Sequence, residues 1–169
     1  SPLLGKVPAA EFVNHITEKI QSYPGVIGVH DLMIHDYGPG NLFATVHVEF
    51  PAETPVIEAH EIMDEIERDF QKQEHMILTI HYDPIVEESE EVAKIRAFVS
   101  QAAKEFDERL SIHEVRLVPG NLSSNVIFDC VKPAGFKASD SEITSYLQKR
   151  VTEWNPRYRC VIKVEQSYV

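Results

Sequence analysis

Phe12, Ile16 and Ile20 recur at every fourth position across residues 8–23, between Pro8 and the pair Pro24-Gly25. This spacing predicts an amphipathic helix with a proline at its start and a glycine stop. The period then changes. Residues 27–37 and 42–50 read as two strands, the second with Leu42, Ala44, Val46, Val48 and Phe50 on one face, and "YGPGN" between them is turn chemistry. Ile62, Ile66 and Phe70 restore helical spacing over 55–72, and a β-branched run over 76–83 closes the set, ending at Pro84. The order is α-β-β-α-β.

After an acidic joint at Glu87 to Glu91 the same order returns. Val92, Ile95, Val99, Ala102, Phe106 and Leu110 mark a helix over 90–110; strands follow at 112–118 and 124–132. Ile143, Leu147 and Val151 mark a helix over 139–153, and a last strand covers 158–168. The string "PGNL" stands at both 39–42 and 119–122, and "MILTIHYDPI" can be laid over "CVIKVEQSYV" without a gap. An internal duplication is the economical explanation. Each unit has strands with one apolar face that two helices can cover. The expected fold is therefore α+β: two tandem ferredoxin-like units, over 1–86 and 87–169, each a three-stranded sheet covered on one face.

Charge narrows the function. A net charge of −11 argues against sequence-independent binding to nucleic acid or anionic lipid, which needs a basic patch. No apolar run nears the ~20 residues that span a bilayer, and no signal peptide is evident. The two cysteines, Cys130 and Cys160, lie in apolar-patterned strands and read as reduced core residues rather than a zinc knuckle or redox pair.

The histidines are clustered instead. His30, His47, His60, His81 and Asp83 all fall in the first unit. His47 has the parity of Phe43, Thr45 and Glu49, away from the helices; His81 and Asp83 are two apart, on the face opposite Leu78 and Ile80. A turn near Pro39 places His30 close to His47. Strict alternation, however, puts His30 with Leu32 and Ile34 on the core side, so a bulge near residue 30 is required to turn it outward. His60 lies early on the second helix and can serve its own chain or a partner's.

Imidazole and carboxylate suit Zn²⁺ and other borderline divalent ions, and this donor set is large enough for two of them. Taken singly, each histidine reads as an exposed or hydrogen-bonded residue; the combination on one face is what points to metal. Catalysis finds little support. Glu49 or Glu61 could act as a base, yet "HEIMD" breaks the HExxH pattern, and no nucleophile arrangement or phosphate loop is present. The chain is not expected to be an enzyme.

The stretch "GVHDLMIHDYGPGNLFATVHVEFPAETPVIEAHEIMDEIE", followed by "LTIHYDP", resembles the cytoplasmic C-terminal domain of cation diffusion facilitator transporters. The resemblance covers residues 1–86, and "SPLLG" is similar to the segment leaving the last transmembrane helix of that family. It implies a dimeric ferredoxin-like domain on the cytoplasmic face of the cell membrane. The rest of that transporter would export Zn²⁺ or a related ion (Mn²⁺, Fe²⁺, Co²⁺, Cd²⁺), with the transmembrane domain of the same protein as partner. It also implies metal ligands at His30, His47, His60, His81 and Asp83, near a dimer interface; Asp31 matches the motif but is not expected to ligate. A purely structural dimerisation module with incidental metal is the rival reading. Overlaid on the first unit, the second has Ile127 for His47, Ser141 for His60, Glu165 for His81 and Ser167 for Asp83, with only His113 retained, and is expected to be metal-free.

Overall fold

The computed structural model describes residues 8–167, so "SPLLG" and the end of the last expected strand lie outside the described residues. The chain divides into two compact units, Ser1–Pro84 and Ile85–Val169. The first contains α1 (Ala10–Gln21), β1 (Gly28–Asp36), β2 (Leu42–Pro51), α2 (Val56–Gln73) and β3 (Met76–Ile85). The second contains α3 (Glu90–Phe106), β4 (Ser111–Val118), β5 (Ser124–Lys132), α4 (Asp140–Trp154) and β6 (Tyr158–Gln166). Both units are ferredoxin-like α-β-β-α-β arrangements with sheet orders β1-β2-β3 and β4-β5-β6.

Each sheet buries one face under its own two helices. In the first unit Ile16 and Ile20 of α1 and Ala59, Ile66 and Phe70 of α2 pack with Ala44, Val46, Val48 and Phe50 of β2 and Met76 and Leu78 of β3. In the second, Val92, Ile95, Val99 and Ala102 of α3 and Ile143, Leu147 and Val151 of α4 cover Val115, Leu117, Val126, Phe128 and Cys130. Phe50, Phe70 and Phe128 are fully buried, each worth roughly 1.5–3 kcal/mol of transfer energy. The helices of the second unit are also capped. Ser89 accepts the Val92 N–H at 3.0 Å and Ser139 accepts that of Glu142 at 3.1 Å, each contributing about 1 kcal/mol.

Two boundaries differ from the sequence pattern. Helix α3 stops at Phe106 rather than at residue 110, because Asp107 adopts an extended backbone (φ −163°) and its carboxylate accepts the Arg109 N–H at 2.9 Å. Leu110 reaches the core from the lead-in to β4 instead of from the helix. Val86 pairs with Leu117 through two backbone hydrogen bonds, of 2.8 and 3.0 Å, and so belongs with the second sheet.

Both β-hairpins carry the same irregularity. β1 and β2 are antiparallel with a register shift between His30 and Met33, and β4 and β5 shift between His113 and Arg116. In each bulge one non-glycine residue takes a left-handed backbone, Asp31 at φ +52° and Glu114 at φ +59°. β5 and β6 run parallel, with Asp129 beside Lys163.

Burial pushes the Cys130 thiol up to about 11 and the Cys160 thiol up to about 12, far above the range in which a thiolate forms near neutrality. Both should therefore resist a disulfide reagent at pH 8 in the native chain and react together in denaturant. A thiol that titrates at once in native buffer would contradict this packing.

Candidate metal centre

The face that the first unit's helices leave open is built by strand alternation and corrected by the bulge. β2 sends Phe43, Thr45, His47 and Glu49 to this side, and β3 sends Ile77, Thr79 and His81. In β1, two residues, Asp31 and Leu32, fall between the His30–His47 and Met33–Thr45 pairs. The extra residue inverts the parity of everything before it. Ile34 thus stays in the core while His30, four residues earlier, faces outward beside His47.

Three imidazoles now form a row, one from each strand. The His30 and His47 ring centroids are 4.7 Å apart with planes at 18°, and His47 and His81 repeat the same spacing and angle. Asp83 joins from the strand end. Its Oδ2 lies 3.1 Å from His47 Nδ1 and 3.2 Å from His30 Nε2. Glu49 completes the far side, with Oε2 2.9 Å from His30 Nδ1.

Both carboxylates are buried, Glu49 at 2% and Asp83 at 8% exposure. Gly28 makes the seat for Glu49, since a Cβ there would come within 3.2–3.3 Å of the carboxylate. An ionised carboxylate only accepts hydrogen bonds, whereas a neutral imidazole has one N–H and one lone pair. His30 faces two carboxylates, and a neutral ring could donate to only one of them. A shared cation or proton resolves that conflict, and the donor chemistry fits a borderline divalent ion.

The ligand atoms of His30, Asp31 and His47 also lie within 4.8 Å of one another, with Asp31 exposed at the bulge. His60 stands apart. It follows buried Ala59 on α2, its side chain is 70% exposed, and its Nδ1 is 3.9 Å from Asp64 Oδ2 on the next turn. Four of the five residues singled out in the sequence are therefore brought together, and His60 is not. Sequence reasoning names Glu49 only as a possible base and misses its contact with His30; Asp31 matches the motif without being expected to ligate. The parity of Glu49 with His47 was a usable sign of its place.

The second unit requires a correction. Register places Asp129 opposite His113, as His47 lies opposite His30; Ile127 pairs with Arg116 and so corresponds to Thr45. The repeated "PGNL" misleads because Leu42 is the first residue of β2, while Leu122 is an exposed loop residue two positions before β5. The same number of residues separates His47 from His81 and Asp129 from Lys163, and each pair is adjacent. Lys163 therefore stands where His81 does, and Glu165 where Asp83 does.

Residues 8–85 match the family model described as the cation efflux protein cytoplasmic domain. They are a cation efflux protein cytoplasmic domain. This domain is 41% identical over 58 residues to the cation-efflux pump FieF of Yersinia enterocolitica, covering 34% of this chain and 18% of that protein. It is 37% identical over 71 residues to FieF of Pectobacterium atrosepticum, covering 41% and 23%. The chain thus spans about a fifth of the length of these curated relatives. Among solved structures, one of CzrB matches at 30% identity over 46% of this chain and 98% of that one, with a TM-score of 0.43. Among the described residues no helix of the chain is long and apolar enough to cross a membrane.

The bulge of the cation efflux domain separates a backbone role from a ligand role at Asp31. A β-branched side chain is disfavoured in the left-handed region, so Asp31→Val should lose about 1–2 kcal/mol in urea denaturation. Asp31→Gly should stay within about 1 kcal/mol of the native chain. Equal losses in both variants would mean that the carboxylate, not the backbone, stabilises the turn.

Proposed function

We propose that the chain is the cytoplasmic regulatory and dimerising part of a divalent-cation efflux transporter. In this reading the open face of the first unit binds Zn²⁺, or a related ion such as Mn²⁺, Fe²⁺, Co²⁺ or Cd²⁺, near a dimer interface. The observation that carries it is the outward row His30–His47–His81 against two buried carboxylates. Glu49 holds His30 from behind and leaves Nε2 toward the ion, while His47, His81 and Asp83 supply further donors. Asp31 can add a carboxylate from the bulge, and His60 takes part only if a second chain brings it.

The mechanism follows from charge. Protomers carrying −11 each repel, and bound cations offset that repulsion at a shared interface. A preference of ~1–3 kcal/mol for a closed dimer is the usual size of such coupling. The closure would be passed to the transmembrane domain of the same transporter, placing this chain at the cytoplasmic face of the membrane. The second unit, from Ile85 onward, is then a copy that packs or offers a further surface without binding metal.

A second reading has its own support. Met33, Phe43 and Ile77 share the open face and are 43–56% exposed, so an apolar contact alone could hold a dimer, with metal incidental.

Zn²⁺ calorimetry on the chelator-treated chain tests the first reading. His81→Ala/Asp83→Ala should abolish the tight phase, and Glu49→Gln should weaken it by about 10–100-fold through loss of the group orienting His30. Equal binding by all three proteins would sink the site. Sedimentation with and without chelator decides between the readings. The regulatory one expects a metal-dependent shift in the sedimentation coefficient or dimer population; a dimer unchanged by chelation is the mark of a structural module.

A further inference from the structure

The second unit keeps more of the metal face than its sequence reveals. Its bulge turns His113 outward opposite Asp129, and Asp129 lies beside Lys163, with Glu165 two residues further along β6. The row His30–His47–His81 with Asp83 has thus become His113–Asp129–Lys163 with Glu165. Three of the four side chains are still metal-ligand types.

The fourth is an ammonium, which has donors and no lone pair. Lys163 Nζ lies 3.0 Å from Glu165 Oε1, and Arg116 stands on the same face beside Ile127. Burial and then the Glu165 carboxylate push the Asp129 carboxyl above the usual range, while Arg116 and Lys163 pull it back. The positive charge that a divalent ion would bring to these carboxylates is already present and covalently attached.

We propose that Lys163 closes a vestigial divalent-cation site on the open face of the second unit, so that this face stays neutralised by a tethered charge and admits no ion. The inference rests on reading the first face as a cation site. It makes the two units unequal: one face answers to metal, and its counterpart holds the same charge balance at any metal level. Lys163 is 70% exposed, so replacing it does not disturb the core.

The test is the number of Zn²⁺ equivalents retained by the whole chain after desalting, with circular dichroism as a check on folding. Lys163→His should retain one equivalent more than the native chain, and adding Asp129→Asn should remove that gain. Lys163→Arg, which keeps the charge, should gain nothing. A folded Lys163→His chain with the native count would overturn the proposal, as would an equal gain in Lys163→Arg. So would a native chain that loses an equivalent on Asp129→Asn. Repeating Lys163→His in the His81→Ala/Asp83→Ala background separates the two readings. If the native first face binds no Zn²⁺, the earlier reading fails; if the gain is missing in this background as well, the present one fails.

Discussion

A strand commits alternate side chains to opposite faces, and in β1 that rule conflicts with the site. Without an extra residue His30 would share the buried side with Ile34, beneath the helices. The two-for-one step at Asp31 and Leu32 removes the conflict by inverting parity within a single turn of backbone. Its cost is a non-glycine residue at φ +52°, and the sheet hydrogen bonds on either side hold it there. The place of His30 in the row, the approach of Asp83 to it and the pairing of Gly28 with Glu49 all depend on that local inversion.

Much of this was readable in the residues because it follows from period alone. His47, His81 and Asp83 declare their face through neighbours such as Val48, Leu78 and Ile80, and the need for a bulge near His30 follows from the same counting. Its position follows less directly: of the residues in "HDLMI" Asp31 is the type that best tolerates the left-handed backbone, but periodicity alone does not place the bulge there. Leu110 misleads for a related reason: an apolar residue at helical spacing looks the same whether it closes a helix or enters a strand. In the second unit two textual matches mislead: Leu42 and Leu122 match as text and differ as structure, and the gapless overlay of the two strand ends slips by two residues, setting Glu165 on His81 instead of on Asp83. Glu49 was visible as a neighbour of His47, but its burial depends on the small size of Gly28 across the sheet, which no pattern of polar and apolar positions records.

Acidity takes on a more specific meaning at the site than in the composition. Most carboxylates among the described residues face solvent. Glu49 and Asp83 do not, and an anion held out of water demands a partner. Imidazoles supply one only in part, because each neutral ring has a single N–H to give. The first unit therefore sets two buried carboxylates against a row of imidazoles, while on the second unit's face Lys163 lies 3.0 Å from Glu165.

The 4.7 Å interval between rings equals the spacing of hydrogen-bonded strands, and this has a mechanical consequence. The row is a fixed gauge. The strand spacing beneath it cannot change without breaking the sheet's hydrogen bonds. Adjustment falls to the imidazole torsions, since burial holds Glu49 and Asp83 in place. If such a surface holds an ion, as proposed above, it would select by the chemistry of its donors and register the ion as a redistribution of charge, with little movement of the frame that carries it.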